Sequence, residues 1–182
     1  TSVTSTRCVE EAVRAAGGKL VVTRSGSLPV ARAITDEQAV FGGEENGGFY
    51  WPAHQVARDG PASSAMMLDL LAETGRSLGE LLATLPKFHV VKRNVPLPAV
   101  AKAAVVERVR ATLAADAAQL VTLDGVKAFY PDGWILVRPS GTEPICRVYA
   151  ESRDAATARA MCERAVALVT GYVQELAPGL AR

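Results

Sequence analysis

Three prolines within LPKFHVVKRNVPLP, residues 85–98, constrain this chain more than any other feature. Proline fixes φ and removes an N–H, so no helix runs through such a stretch and a central strand is disfavoured. The segment reads as extended, with 86–98 a linker between two units of different pattern. The 182 residues, 49% of them hydrophobic, suffice for two small cores.

Before the linker, helices and strands alternate. Ser5 or Thr6 is placed to cap a helix carrying Val9, Ala12, Val13 and Ala16, which Gly17-Gly18 ends. KLVVT (19–23) reads as a buried strand, LPVARAI (28–34) as a helix, and AVFGG (39–43) and FYW (49–51) as strands around a glycine-rich loop. Asp59 caps a helix from Ala62 to Glu73, with Pro61 in its first turn. Ser77-Leu-Gly-Glu80 is a capping-box pattern that opens another helix, 77–84. The alternation argues for a three-layer α/β domain over 1–85, with a mixed, largely parallel sheet. It has few strands and nothing before its first helix, so the domain is expected to be incomplete.

After the linker the pattern changes. A helix is expected over 99–115. LVTLDG, VKAFYPDG and WILVRPS are short strands divided by Asp-Gly turns, and ICRVYAES (145–152) alternates as a strand does. Asp154 caps a last helix with the stripe Ala158, Met161, Ala165, Leu168 and Tyr172. Residues 99–182 therefore read as a small α+β domain, an antiparallel sheet packed by two helices.

A net charge of +1 gives no field to recruit nucleic acid or an anionic membrane. Cys8, Cys146 and Cys162 are odd in number and lack metal-like spacing, which argues against a disulfide framework and for a reducing cytoplasm. No apolar run is long enough to span a bilayer. The chain starts at Thr1, so it is expected to be processed or part of something longer.

Two loops carry chemistry. RPSGTEP (138–144) sets a guanidinium, two hydroxyls and a glycine within five residues, with prolines at 139 and 144. Arg138 offers a planar fork of donors that suits phosphate oxygens. Ser140 and Thr142 add hydroxyls, and Gly141 lets backbone N–H groups turn toward an anion. The plain alternative is a polar surface hairpin. FGGEENGG (41–48) surrounds two carboxylates and an amide with four glycines. In an extended segment Glu44 and Glu45 point opposite ways, so one faces a ligand. A carboxylate there accepts two hydroxyl hydrogen bonds, as from a vicinal diol, and Asn46 both donates and accepts. A flexible, solvated turn is the alternative, and the spacing lacks the ligand ladder of a calcium loop. In PAHQVARDG, His54 packs, hydrogen-bonds or touches a sugar hydroxyl, and Arg58 is a surface charge or a phosphate contact. Arg24, in TRSGS, follows a strand, where α/β ligands bind.

FGGEENGG, then HQVARDG, then RPSGTEP together resemble the C-terminal part of the α-D-phosphohexomutase superfamily, in its archaeal-type phosphomannomutase/phosphoglucomutase form. The resemblance covers essentially the whole chain. It implies that Glu44 binds sugar hydroxyls with Asn46 beside it, and that Arg138, Ser140, Gly141 and Thr142 grip the non-reacting phosphate. Arg24 sits where bacterial members have a substrate-contacting lysine. Gly48 stands where many have a histidine, so that role is absent or falls to His54.

Complete members have four domains around one cleft. A serine in a loop like T-A-S-H-N-P is phosphorylated, and D-x-D-x-D-R holds magnesium. Neither motif occurs here. The resemblance thus implies most of domain 3 (1–85) and all of domain 4 (99–182), with no catalytic serine and no metal ligand. Domains 1 and 2 are expected in cis or as a separate chain. The implied reaction interconverts hexose 1- and 6-phosphates, mannose and glucose being favoured, through a phosphoserine and a bisphosphorylated intermediate. This chain is expected to recognise substrate and to be inactive alone. The alternatives are a non-catalytic sugar-phosphate-binding module or one chain of a split mutase.

Overall fold

The computed structural model describes residues 1–178. The chain forms two compact units, Thr1–Lys87 and the remainder from Phe88.

In the first unit, Thr6 caps α1 (Arg7–Ala15), its side chain accepting from the Cys8 N–H at 3.1 Å. Gly26, at φ 118°, precedes α2 (Ser27–Asp36) without a side-chain cap. β1 (Gly42–Gly43), β2 (Phe49–Trp51) and β3 (Gln55–Arg58) form an antiparallel meander. Asp59 caps α3 (Gly60–Thr74), and left-handed Gly75 ends it. α4 (Leu78–Leu82) opens with the full capping box of Ser77 and Glu80.

Two strand expectations need correcting. Among the described residues the strand pairing of KLVVT is limited to a parallel bridge, Thr23 to Ser2, and AVFGG yields only the two-residue β1. The three-stranded sheet is therefore antiparallel, and the parallel component is that bridge. Residues ahead of the first helix contribute after all, as Thr1–Val3 makes the bridge's hydrogen bonds. The small core holds Val30, Ile34 and Tyr50. A Cβ added at Gly42 would stand 2.5 Å from Ile34 Cδ1, so glycine there lets α2 lie directly on β1.

In the second unit the expected linker is mostly strand. β4 (His89–Pro96) pairs with the last strand along its whole length. It lies at the sheet edge, where a terminal proline leaves few ladder bonds unmade. A 3-10 turn (Ala99–Ala101) leads into α5 (Lys102–Ala114). β5 (Gln119–Val121), β6 (Val126–Tyr130), β7 (Gly133–Pro139) and β8 (Ile145–Ser152) follow, then α6 (Ala155–Leu176). The sheet is antiparallel, in the order β4-β8-β7-β6-β5.

Val105, Val109 and Leu113 of α5 are fully buried against Val126, Ile135, Val137 and Val148 of the sheet. Each such side chain stabilises by roughly 1.5–3 kcal/mol. The stripe of α6 is turned from its expected position: Ala158, Cys162, Ala165, Val169 and Val173 are buried. Met161, Leu168 and Tyr172 flank it, partly buried. Small residues let the helix settle close to the sheet, and the larger ones fill its borders.

Candidate functional site

The first unit gathers its polar groups on Glu44. GEENGG is not extended. It turns back on itself, with the Glu44 N–H donating to Gly48 O at 2.9 Å and Gly47 at φ 86°. The turn, rather than strand alternation, sends Glu44 inward and leaves Glu45 exposed. Glu44 is 8% exposed. Its Oε1 accepts from the Gly26 N–H at 3.2 Å, and its Oε2 accepts from the Tyr50 hydroxyl at 3.0 Å. Arg58 Nη1 lies 3.7 Å from Oε2. Tyr50 and Arg58 stand opposite each other on β2 and β3, so both reach the same carboxylate. Burial, then the Glu44 carboxylate beside it, pushes the Tyr50 phenol up to about 12. Tyr50 is thus a hydrogen-bond donor over the whole range in which proteins work.

The other expected sugar residues divide. Arg24 is exposed, two residues before the Gly26 that bonds Glu44, so the TRSGS loop does adjoin the turn. Asn46 is exposed and braces the turn, its Oδ1 accepting from the Gly48 N–H at 3.1 Å. A Cβ at Gly48 would run into Arg58 Cδ, so a larger residue there requires Arg58 to move. His54 Nε2 lies 3.3 Å from Asp59 Oδ2, which also accepts from Gln55 at 2.7 Å. The Ala62 N–H, chiefly, holds the Asp59 carboxyl below the usual range, with His54 and Gln55 adding to it. His54 therefore supports the residue that caps α3.

In the second unit, Arg138 sits near the end of β7. Its Nε donates to Asp124 Oδ2 at 2.6 Å, while Nη1 and Nη2 donate to nothing among the described residues. The guanidinium is aimed by one nitrogen, and its outer fork stays available. Asp124 comes from the expected Asp-Gly turn, where Gly125 is at φ 77° and a Cβ would collide with the Val137 carbonyl.

Ser140, 3% exposed, turns its hydroxyl into the loop, accepting from the Thr142 and Glu143 N–H groups at 3.4 and 3.2 Å. Thr142 is exposed. Gly141 is not left-handed, and a Cβ there meets nothing within 4 Å. Its expected part in an anion nest is thus not imposed by the backbone. Open space surrounds it instead.

Sequence reasoning missed two cations. Lys102 Nζ donates to Ser140 O at 2.7 Å and Glu143 O at 3.1 Å, stapling the loop from the start of α5. Arg147 stands directly across from Arg138 in the β7–β8 ladder, on the same face, with Nη2 donating to Glu143 Oε2 at 2.7 Å. Like charges set opposite each other on neighbouring strands repel, and an anion between them reverses that sign. The alternation of ICRVYAES was the available signal for Arg147. Lys102, some forty residues from the loop, left none.

Residues 1–88 match the family described as phosphoglucomutase/phosphomannomutase, alpha/beta/alpha domain III, and 93–168 match its C-terminal domain. The chain belongs to this family. A probable phosphoglucosamine mutase of Methanopyrus kandleri is 41% identical over 175 residues, which are 96% of this chain and 39% of that protein. A phosphoglucosamine/phosphogalactosamine mutase of Sulfurisphaera tokodaii is 39% identical, over 94% of this chain and 38% of its own. A family protein of Burkholderia thailandensis has a solved structure that covers 98% of this chain and 37% of its own, at TM-score 0.73 and 24% identity. The chain thus spans about two-fifths of the length of the relatives it matches.

Among the described residues no group of three or more His, Cys, Asp or Glu is placed to hold a metal ion. Nor is any helix of the described residues long and apolar enough to cross a membrane.

Proposed function

We propose that this chain is the substrate-recognising part of a phosphohexomutase, which interconverts hexose 1- and 6-phosphates through a phosphoserine and a bisphosphorylated intermediate. The observation that carries the reading is Arg138. Its Nε is fixed on Asp124, its outer nitrogens are free to meet phosphate oxygens, and Arg147 stands across from it. In this role Arg138 and Arg147 hold the phosphate that does not react, with loop N–H groups and Thr142 supplementing them. Lys102 shapes the loop from behind.

Glu44 is the sugar acceptor. An ionised carboxylate offers about four acceptor positions, and Gly26 and Tyr50 use two. The remainder suits two hydroxyls of one sugar ring. Arg24 and Arg58 border this group and contribute charge toward the phosphorylated sugar, with Asn46 holding the turn in shape.

Phosphoryl transfer needs a donor in line with the acceptor and cations to neutralise developing charge. Ser140 is a poor donor, because its hydroxyl is turned onto the loop's own amides. Domains 1 and 2, in cis or as another chain, supply the phosphoserine and the magnesium ligands. The compartment is the cytoplasm. Mannose and glucose phosphates were the expected sugars, and the names of the two relatives above add glucosamine phosphate as a third to assay. A coupled assay of the purified chain with each hexose 1-phosphate should yield no 6-phosphate. Joining the chain to the family's first two domains should restore turnover. Turnover by the chain alone, or none from the joined protein, would count against the assignment.

A further inference from the structure

Two guanidiniums face each other across β7 and β8, and each is held by a carboxylate. The two carboxylates differ in kind. The side chains of Arg138 and Asp124 are 17% and 13% exposed and meet at 2.6 Å, so that pair is a fixed tether. Those of Arg147 and Glu143 meet at 2.7 Å but are 34% and 52% exposed. An ion pair so open to water is screened and contributes little. The Glu143 backbone, by contrast, is pinned at both of its polar groups. Its N–H donates to Ser140 Oγ at 3.2 Å, and its carbonyl accepts from Lys102 Nζ at 3.1 Å. The side chain can therefore leave Arg147 without moving the loop.

We propose that Glu143 is an exchange partner for phosphate on Arg147: its carboxylate occupies that guanidinium in the empty site, and an arriving phosphate displaces it. The inference rests on the phosphate-binding reading of Arg138 and Arg147. These two side chains repel each other across the ladder, and without a ligand the Glu143 charge offsets part of that repulsion. A phosphate between them offers three strong acceptor oxygens and up to twice the charge of a carboxylate, so it outcompetes one solvated carboxylate. The anion then repels the displaced Glu143 side chain into solvent. When phosphate leaves, Glu143 returns to Arg147, which lowers the cost of release. In the reaction proposed above, this loop has to let go of a bisphosphorylated intermediate and take it up again by its other phosphate. A grip with a built-in competitor meets that need, whereas two bare guanidiniums would hold the phosphate longer.

The test is an NMR titration of this chain with inorganic phosphate at constant ionic strength, read at the Arg138 and Arg147 Nε–H resonances. Glu143→Gln keeps the shape and an acceptor oxygen but loses the charge. It should tighten phosphate binding at least about threefold over the unmodified chain, mostly through slower dissociation. Asp124→Asn should act the other way and weaken binding, because there a fixed tether is lost. Glu143→Gln binding phosphate no more tightly than the unmodified chain would overturn the exchange and leave the phosphate site standing. An equal gain from Glu73→Gln, which removes an exposed carboxylate of α3, would overturn it too, because net charge alone would then account for the change. No shift at Arg138 or Arg147 in the unmodified chain would overturn both the exchange and the site.

Discussion

The turn around Glu44 and the loop after Arg138 hold their charges in opposite ways. Glu44 is buried and engaged by groups from three elements: the start of α2, β2 and β3. Arg138 is anchored through one nitrogen to a neighbouring turn, and its loop is tied by its own Ser140 and by Lys102. A carboxylate must be held by donors before it meets a sugar, or its burial costs several kcal/mol. A guanidinium stays charged wherever it is placed, so one carboxylate suffices to aim it. The first arrangement makes the proposed sugar acceptor part of the fold. The second leaves the guanidinium proposed to bind phosphate loosely coupled to it.

That contrast can be broken by mutation. The largest effect is expected at Arg138. Each charge-assisted hydrogen bond to phosphate is worth roughly 1.5–3 kcal/mol, so Arg138→Ala should weaken hexose-phosphate binding more than about tenfold. Arg138→Lys should restore only part of it, while thermal unfolding of both variants stays near wild type. Isothermal titration and a melting curve on the same samples check both halves.

Glu44→Gln should do the reverse. Gln brings an NH2 group against the Gly26 N–H or the Tyr50 hydroxyl, leaving a buried donor unmatched at a cost of about 1–3 kcal/mol. Stability should fall along with binding, and Glu45→Gln should change neither appreciably. Equal effects of the two changes would remove the distinction between the buried and the exposed carboxylate.

How far the sequence foretold these sites depended on the range of each contact. Asp59, Ser77 and Asp154 cap the expected helices because caps are read within three residues. The glycines of FGGEENGG marked a turn, yet only the meander of β1 to β3 shows that Tyr50 and Arg58 converge on Glu44. His54, for which packing, a hydrogen bond or a sugar hydroxyl were all open, lies 3.3 Å from the capping Asp59 five residues on. β4 was hidden by the prolines in and around it; the one it contains, Pro96, is tolerated at its end in an edge strand, a position that no local pattern reveals. Arg147 and Lys102 required the strand register and the packing of α5.

A smaller effect belongs to Lys102. Lys102→Met removes donors from two loop carbonyls, each net hydrogen bond contributing about 0.5–1.5 kcal/mol. Phosphate binding should drop severalfold with little change in melting temperature, which sharpens the claim that the loop is tied locally. The smallest is spectroscopic. The Tyr50 phenol is held protonated to about 12, so an ultraviolet titration should lose one late-titrating tyrosine in Tyr50→Phe. Because the folded value lies above the unfolded one, the stability linked to this group is full below about pH 10 and is lost as pH rises through 12.

The most direct test is an amide NMR titration of this chain with glucosamine 6-phosphate, followed by an assay of the same tube for the 1-phosphate. The account predicts shifts across Arg138–Arg147 and around Glu44 at high ligand concentration, with no 1-phosphate formed. Isomerisation by the chain alone, or saturating shifts that spare Arg138–Arg147, would contradict it.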